Sequence, residues 1–125
     1  MNPPNPQQLF QQAIQAHQRG DLAQAELFYL QVLKVAPAHA AAGHMLGIIR
    51  AQQGRNAEAL SLIGGALRAH PHDADILTNY ANVLNALGRF DEALAHHDRA
   101  LAARPSDAEI LNNRGSVLQA LGRFE

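Results

Sequence analysis

The sequence predicts an all-α fold of stacked helix-turn-helix hairpins, three full repeats plus the first helix of a fourth. Three observations predict it. Glycines at Gly20, Gly54, Gly88 and Gly122, prolines at Pro37, Pro71 and Pro105, and alanines at Ala25, Ala59 and Ala93 all recur every 34 residues. The stretch from Ile76 to Phe90 returns, closely similar, from Ile110 to Phe124. Each period also holds two apolar stripes at helical spacing: Leu77, Ala81, Leu84 and Gly88, then Phe90, Ala93, Leu94, Ala100 and Leu101.

The chain divides accordingly. Residues 1–6 are expected to be a flexible, proline-rich start, and residues 7–125 the repeat domain, with repeats at about 6–39, 40–73 and 74–107 and a truncated one at 108–125. The first helices fall near 7–19, 40–53, 74–87 and 108–121, and the second helices near 22–35, 56–69 and 90–103. In repeat one, Leu9 and Ala13 face Ala25 and Tyr29, and Pro37 closes the unit. Repeat two carries Leu46, Gly47, Ala59 and Ile63, but also Gly43 and Gly64-Gly65 inside its helices. Each interior glycine costs about 0.5–1 kcal/mol relative to alanine, so repeat two is expected to be the weakest unit. In repeat three, Gly88 ends the first helix in the left-handed conformation, and Asp91 and Glu92 place negative charge in the first turn of the second. Ser106-Asp107-Ala108-Glu109 has the form of a capping box that starts the fourth unit with Ser106 as cap. Phe124-Glu125 corresponds to Phe90-Asp91, so the fourth unit is expected to be cut off within a longer array, leaving an end through which copies can associate.

Composition narrows the function. With 47% apolar and 17% charged residues the chain can bury a core, and ten Lys+Arg against eleven Asp+Glu leave no uniformly basic surface for nucleic acid or an anionic membrane. The absence of cysteine excludes disulfides, thiolate zinc sites and thiol nucleophiles. No apolar run approaches the roughly 18 residues of a membrane span, and no basic or hydrophobic signal opens the chain, so a cytoplasmic location is expected.

The pattern resembles the tetratricopeptide repeat. Leu77, Tyr80, Ala81, Leu84, Ala93, His97 and Pro105 match its signature in repeat three; Leu46, Gly47, Ala59, Ile63 and Pro71 match it in repeat two, and Leu9, Ala13, Ala25, Tyr29 and Pro37 in repeat one. The family's tryptophan is missing, and Gly43 replaces a large residue. The resemblance implies a right-handed superhelix whose first helices line a concave, protein-binding groove. At the groove positions stand Phe10 and Ile14, then His44 and Ile48, then Thr78, Asn79, Asn82 and Asn85, then Asn112, Asn113, Ser116 and Gln119. Primary amides both donate and accept, so this ladder suits the backbone of an extended peptide, with apolar side chains of the ligand placed toward repeats one and two. A polar helix face that is merely solvated is the plainer explanation of the same residues. The late repeats are also similar to the asparagine-ladder repeats of O-linked N-acetylglucosamine transferases and their bacterial relatives, which present polypeptide substrates to a glycosyltransferase domain. Clamping of a chaperone tail is disfavoured, because Lys34 is the only lysine and belongs to a second helix.

Other chemistry finds little support. His70-Pro71-His72 and His96-His97 lack the i, i+4 spacing that aims two imidazoles at one metal, and His97 fills the slot of Tyr29 and Ile63, between helices. None of Ser61, Ser106 and Ser116 lies in a nucleophile turn, and no glycine loop cradles phosphate. The expectation is a non-catalytic module with no cofactor and no metal that binds a protein or extended peptide. Its alternatives are the substrate-presenting arm of a glycosyltransferase and a self-assembly unit that stacks into homo-oligomers.

Overall fold

The computed structural model describes residues 5–122. Among them are seven helices: α1 (Pro6–Gln18), α2 (Leu22–Val35), α3 (Ala40–Gln52), α4 (Asn56–Ala69), α5 (Ala74–Ala86), α6 (Phe90–Ala103) and α7 (Ala108–Ala120). No strand occurs among the described residues. Helices α1 and α2, α3 and α4, and α5 and α6 pair as hairpins, and α2, α4 and α6 each pack on the first helix of the following unit. This is an all-α solenoid of helical hairpins.

The expected flexible start needs correction at its end. Asn5 caps α1, its Oδ1 accepting from the Gln8 N–H at 2.8 Å, and Pro6 opens the helix where its missing N–H and fixed φ cost nothing. Residues 1–4, and the Phe124-Glu125 stop, lie outside the described residues.

The turns inside hairpins repeat one solution. Gly88 has φ 77°, the Arg89 N–H donates to the Leu84 carbonyl at 2.9 Å, and the Gly88 N–H donates to Asn85 at 3.0 Å. That double closure satisfies the orphan carbonyls of α5 and needs a left-handed residue between them. Equivalent bonds close α1 at Gly20 and α3 at Gly54.

Turns between hairpins use side-chain caps instead. Asp73 accepts from the N–H groups of Asp75 and Ile76, and Asp107 accepts from Ile110 at 3.2 Å. The cap of α7 is therefore Asp107 and not Ser106, which stands exposed one residue earlier. In the equivalent place before α3, His39 does the same work, its Nδ1 accepting from Ala42 at 3.1 Å.

Small residues set how closely paired helices approach. A Cβ built on Gly47 would stand 2.5 Å from Ile63 Cγ1, inside contact distance, so α3 and α4 meet more closely than alanine allows. Helices α3 and α4 run unbroken through Gly43 and Gly64-Gly65. Beside them a cleft of about 380 Å³ opens between Leu33, Pro37, His39, Leu62 and Arg68. Leu9 and Leu77, one period either side of Gly43, are buried.

The fully buried apolar side chains fall into different clusters at the same place. One cluster joins Leu9, Ala13, Tyr29 and Val32 to Leu46 and Ile49 of α3. Another joins Ile63, Ala66 and Leu67 of α4 to Ile76, Leu77 and Ile110. Across the boundary runs an ionic staple that the sequence pattern did not suggest. Arg50 is 8% exposed and holds Glu26 of α2 and Glu58 of α4, each at 3.2 Å. Gln53 donates to the same Glu26 and accepts from Arg50 at 3.4 Å. Arg50 occupies the register position at which Ala16, Leu84 and Leu118 are buried, so a charge here survives only because carboxylates meet it from both neighbouring helices.

Candidate interaction groove

Which face is concave follows from the contacts. Helix α3 meets α5 directly, and α5 meets α7, whereas second helices of successive repeats make no comparable contact. The helices that meet lie on the inside of the curve, so α1, α3, α5 and α7 supply the inner wall.

Among the described residues, clefts open between successive first helices. Ile14, His17, Gln18 and Met45 bound a shallow, largely apolar one between α1 and α3. The second, about 310 Å³, lies between α3 and α5, walled by Ile48, Ala51, Ile63, Val83 and Ala86 and rimmed by Gln52, Asn56, Asn79 and Asn82. The third, about 130 Å³, lies between α5 and α7 and is lined by Asp75, Thr78, Asn79, Arg104, Asp107, Glu109 and Ile110. Asn79 belongs to both the second and the third. It stands at the centre of the groove.

Asn79 is also tied across the repeats. Its Nδ2 lies 2.9 Å from His44 Nε2, so with the amide donating, the imidazole accepts and is neutral. Burial pushes the His44 pKa below its ordinary value, and the carboxylates of Asp73 and Asp75 oppose that shift. His17, further along the wall, bonds through Nδ1 to the Tyr29 hydroxyl at 3.1 Å, and burial raises the pKa of that phenol.

The sequence-predicted residues separate into groups. Ile14 lines the first cleft, Ile48, Asn79 and Asn82 the second, and Thr78 and Asn79 the third. His44 sits beside Asn79 as described. Phe10 lines none of these clefts; its half-buried ring packs at 5.9 Å from Tyr29 and 4.8 Å from His39, against the core that joins α1, α2 and α3. Thr78 is not part of a solvated ladder, being 6% exposed with its Oγ1 unpartnered. The Asn85 Oδ1 is likewise buried without a partner. On α7, Asn112, Ser116 and Gln119 are exposed and Asn113 half-buried, and the Ser116 hydroxyl donates back to the Asn112 carbonyl at 3.2 Å. Carboxylates at Asp75 and Glu109, and the apolar wall contributed by Ala51, Val83 and Ala86, complete the groove. Asp75, Glu109 and Ala51 stand at groove offsets in the sequence, but that Asp75 and Glu109 line one cleft with Thr78 depends on how repeats stack.

Among the described residues no group of three or more His, Asp or Glu side chains is placed to hold a metal ion. No helix among them is long and apolar enough to cross a membrane.

Comparison with known proteins agrees with this architecture. Sequence profiles described as tetratricopeptide repeat match residues 10–74 and 50–115. No curated protein matches. Among solved structures, MamA (AMB-1) is 22% identical, with a TM-score of 0.84 over 95% of this chain and 65% of its own. The first repeat domain of Spaghetti (RPAP3) bound to the HSP90 peptide SRMEEVD is 18% identical, with a TM-score of 0.88 over 94% of both chains. A mutant O-GlcNAc transferase from Thermobaculum terrenum is 27% identical, with a TM-score of 0.83 over 90% of this chain and 22% of its own. The present chain thus spans under two thirds of the MamA protein and about a fifth of the transferase.

Proposed function

Because this chain belongs to the tetratricopeptide repeat family, a family of protein-interaction modules, we propose that it binds an extended peptide segment of a partner protein in the groove formed by α1, α3, α5 and α7. The observation that carries this reading is the placement of Asn79 between two open clefts of the inner wall. An extended peptide presents backbone donors and acceptors between side chains that point to alternate sides. Amides on the groove floor serve the former and the clefts accept the latter. The module acts by binding, without a catalytic group of its own.

The test is a double variant, Asn79→Ala with Asn113→Ala, assayed by peptide-array binding and by circular dichroism. Weakened capture with unchanged helicity supports amide contacts to the ligand; unchanged capture removes them from the reading.

A second reading makes the chain the substrate-presenting arm of a glycosyltransferase. Its support is the 27% identity with the Thermobaculum terrenum transferase across most of these repeats. Reading the gene beyond the codon for Glu125 decides it: a glycosyltransferase domain supports the arm, and a different continuation overturns it.

A further inference from the structure

The groove's third cleft carries a charge pattern that selects its occupant. Asp75, Asp107 and Glu109 converge on it from α5 and the start of α7, and the one cation among the lining residues is Arg104. That guanidinium is already engaged, donating to Asp75 at 2.9 Å and standing 4.0 Å from Asp107. Glu109 has no ion-pair partner among the described residues. Thr78 forms part of the wall, and its hydroxyl is buried and bonded to nothing among the described residues. Asp73 stands near enough to act on both Arg104 and His44, so the negative field extends from this cleft toward the middle of the groove.

We propose that this cleft seats a lysine or arginine side chain of an extended peptide whose aliphatic side chain, about four residues away, fills the cleft between α3 and α5. The inference rests on the reading of the groove as a peptide seat and adds the chemistry of the peptide. The aliphatic position follows from Ile48, Ala51, Ile63, Val83 and Ala86, which offer a long side chain an apolar wall and only amides at the rim. The basic position follows from charge: three carboxylates against one committed guanidinium leave the cleft negative, and a cation there gains what an acidic side chain loses. Spacing follows from geometry. Neighbouring first helices lie roughly 10 Å apart, and the clefts are offset along α5 by about five residues, or roughly 8 Å, giving about 13 Å between them. Extended chain covers ~3.3 Å per residue, so about four residues connect the two side chains. The peptide therefore runs obliquely across α5, with Asn79 beneath its middle.

Fluorescence anisotropy on the 125-residue chain at low salt tests this with labelled ten-residue Gly-Ser peptides carrying leucine and, four positions away in either order, lysine. Matched peptides replace lysine by glutamate or leucine by alanine, and the acidic peptide SRMEEVD serves as a further probe. The expected result is at least fivefold weaker binding for the glutamate peptide, with SRMEEVD among the weakest. In the variant Asp75→Asn with Glu109→Gln, lysine and glutamate peptides should differ by less than twofold, while the penalty for losing leucine stays. Equal affinity of lysine and glutamate peptides for the unaltered protein overturns this inference alone, as does a lysine preference that survives in the variant. Failure of every peptide to bind overturns the groove reading itself.

Discussion

His97 of α6 is fully enclosed, at the register position filled by Tyr29 and Ile63 in the other hairpins, and neither ring nitrogen has a partner. Burial pushes its pKa below the ordinary value, with Arg114 and His96 adding to the shift and Asp98 opposing it. The sign of the pH dependence follows. Well above about pH 6.5 the ring is neutral folded and unfolded, and contributes no slope. As pH falls below that value, the unfolded chain takes up a proton that the folded one resists, so stability declines. His44 acts in the same direction. Replacing His97→Ile installs the side chain found at this register one repeat earlier, where its neighbour is Gly47 in the place of Ala81, and removes two buried polar atoms. It is expected to stabilise by about 1–3 kcal/mol, the cost of an unsatisfied buried group. Urea titrations at pH 7.5 and 5.5 check this: the advantage should widen at the lower pH, and an advantage that narrows there would assign the slope to other groups.

At the scale of single helices, the 34-residue period made nearly everything legible. Stripe spacing, the turn glycines and the closing prolines marked all seven helices, with bounds displaced by no more than a residue. Caps were less legible, because neighbouring Ser106 and Asp107 both have capping side chains and only backbone geometry chooses between them. Asp107 has the extended φ and ψ of −70° and 114° and accepts the Ile110 N–H. His39 as a cap was not legible, histidine having no such preference in sequence. The candidate groove was legible as a set of positions and no further. Helical offsets place Thr78 and Asn79 on one face, but which is enclosed and which bridges to His44 depends on how α3, α5 and α7 settle against each other. The cap assignment has a direct consequence. Asp107→Ala should lower stability by about 1 kcal/mol, whereas Ser106→Ala should stay within about 0.5 kcal/mol of the parent. Thermal or urea unfolding of the two variants measures both, and the reverse order would restore Ser106 as the cap.

Across the whole molecule, a solenoid holds together by nearest-neighbour interfaces, so its cooperativity is only as strong as the poorest of them. Three features coincide at repeat two. The fully buried apolar side chains divide between α3 and α4, Leu46 and Ile49 siding with repeat one and Ile63, Ala66 and Leu67 with repeat three. Gly43 and Gly65 remove side chains beside the 380 Å³ cleft there. The staple bridging the division is the Arg50 pairing with Glu26 and Glu58, whose net contribution is reduced by desolvation. Opposing them is the close approach at Gly47, which keeps α3 and α4 in intimate contact. That approach, with Ala40 and Ala51 of α3 packing on the α4 side and Leu62 of α4 on the α3 side, links the two sides only through small or half-buried side chains. Native-state hydrogen exchange should therefore resolve two cooperative blocks, α1 to α3 and α4 to α7, opening with different free energies. Alanine fits at both glycines that flank the cleft: an added Cβ at Gly43 meets the Leu62 carbonyl at 3.4 Å, and one at Gly65 meets only the mobile end of Arg68 at 3.7 Å. The double variant Gly43→Ala with Gly65→Ala should gain about 1–2 kcal/mol in helix propensity and bring the two opening energies together. A single exchange block in the parent chain would show that the Gly47 contact outweighs the divided core, and that the repeats unfold as one.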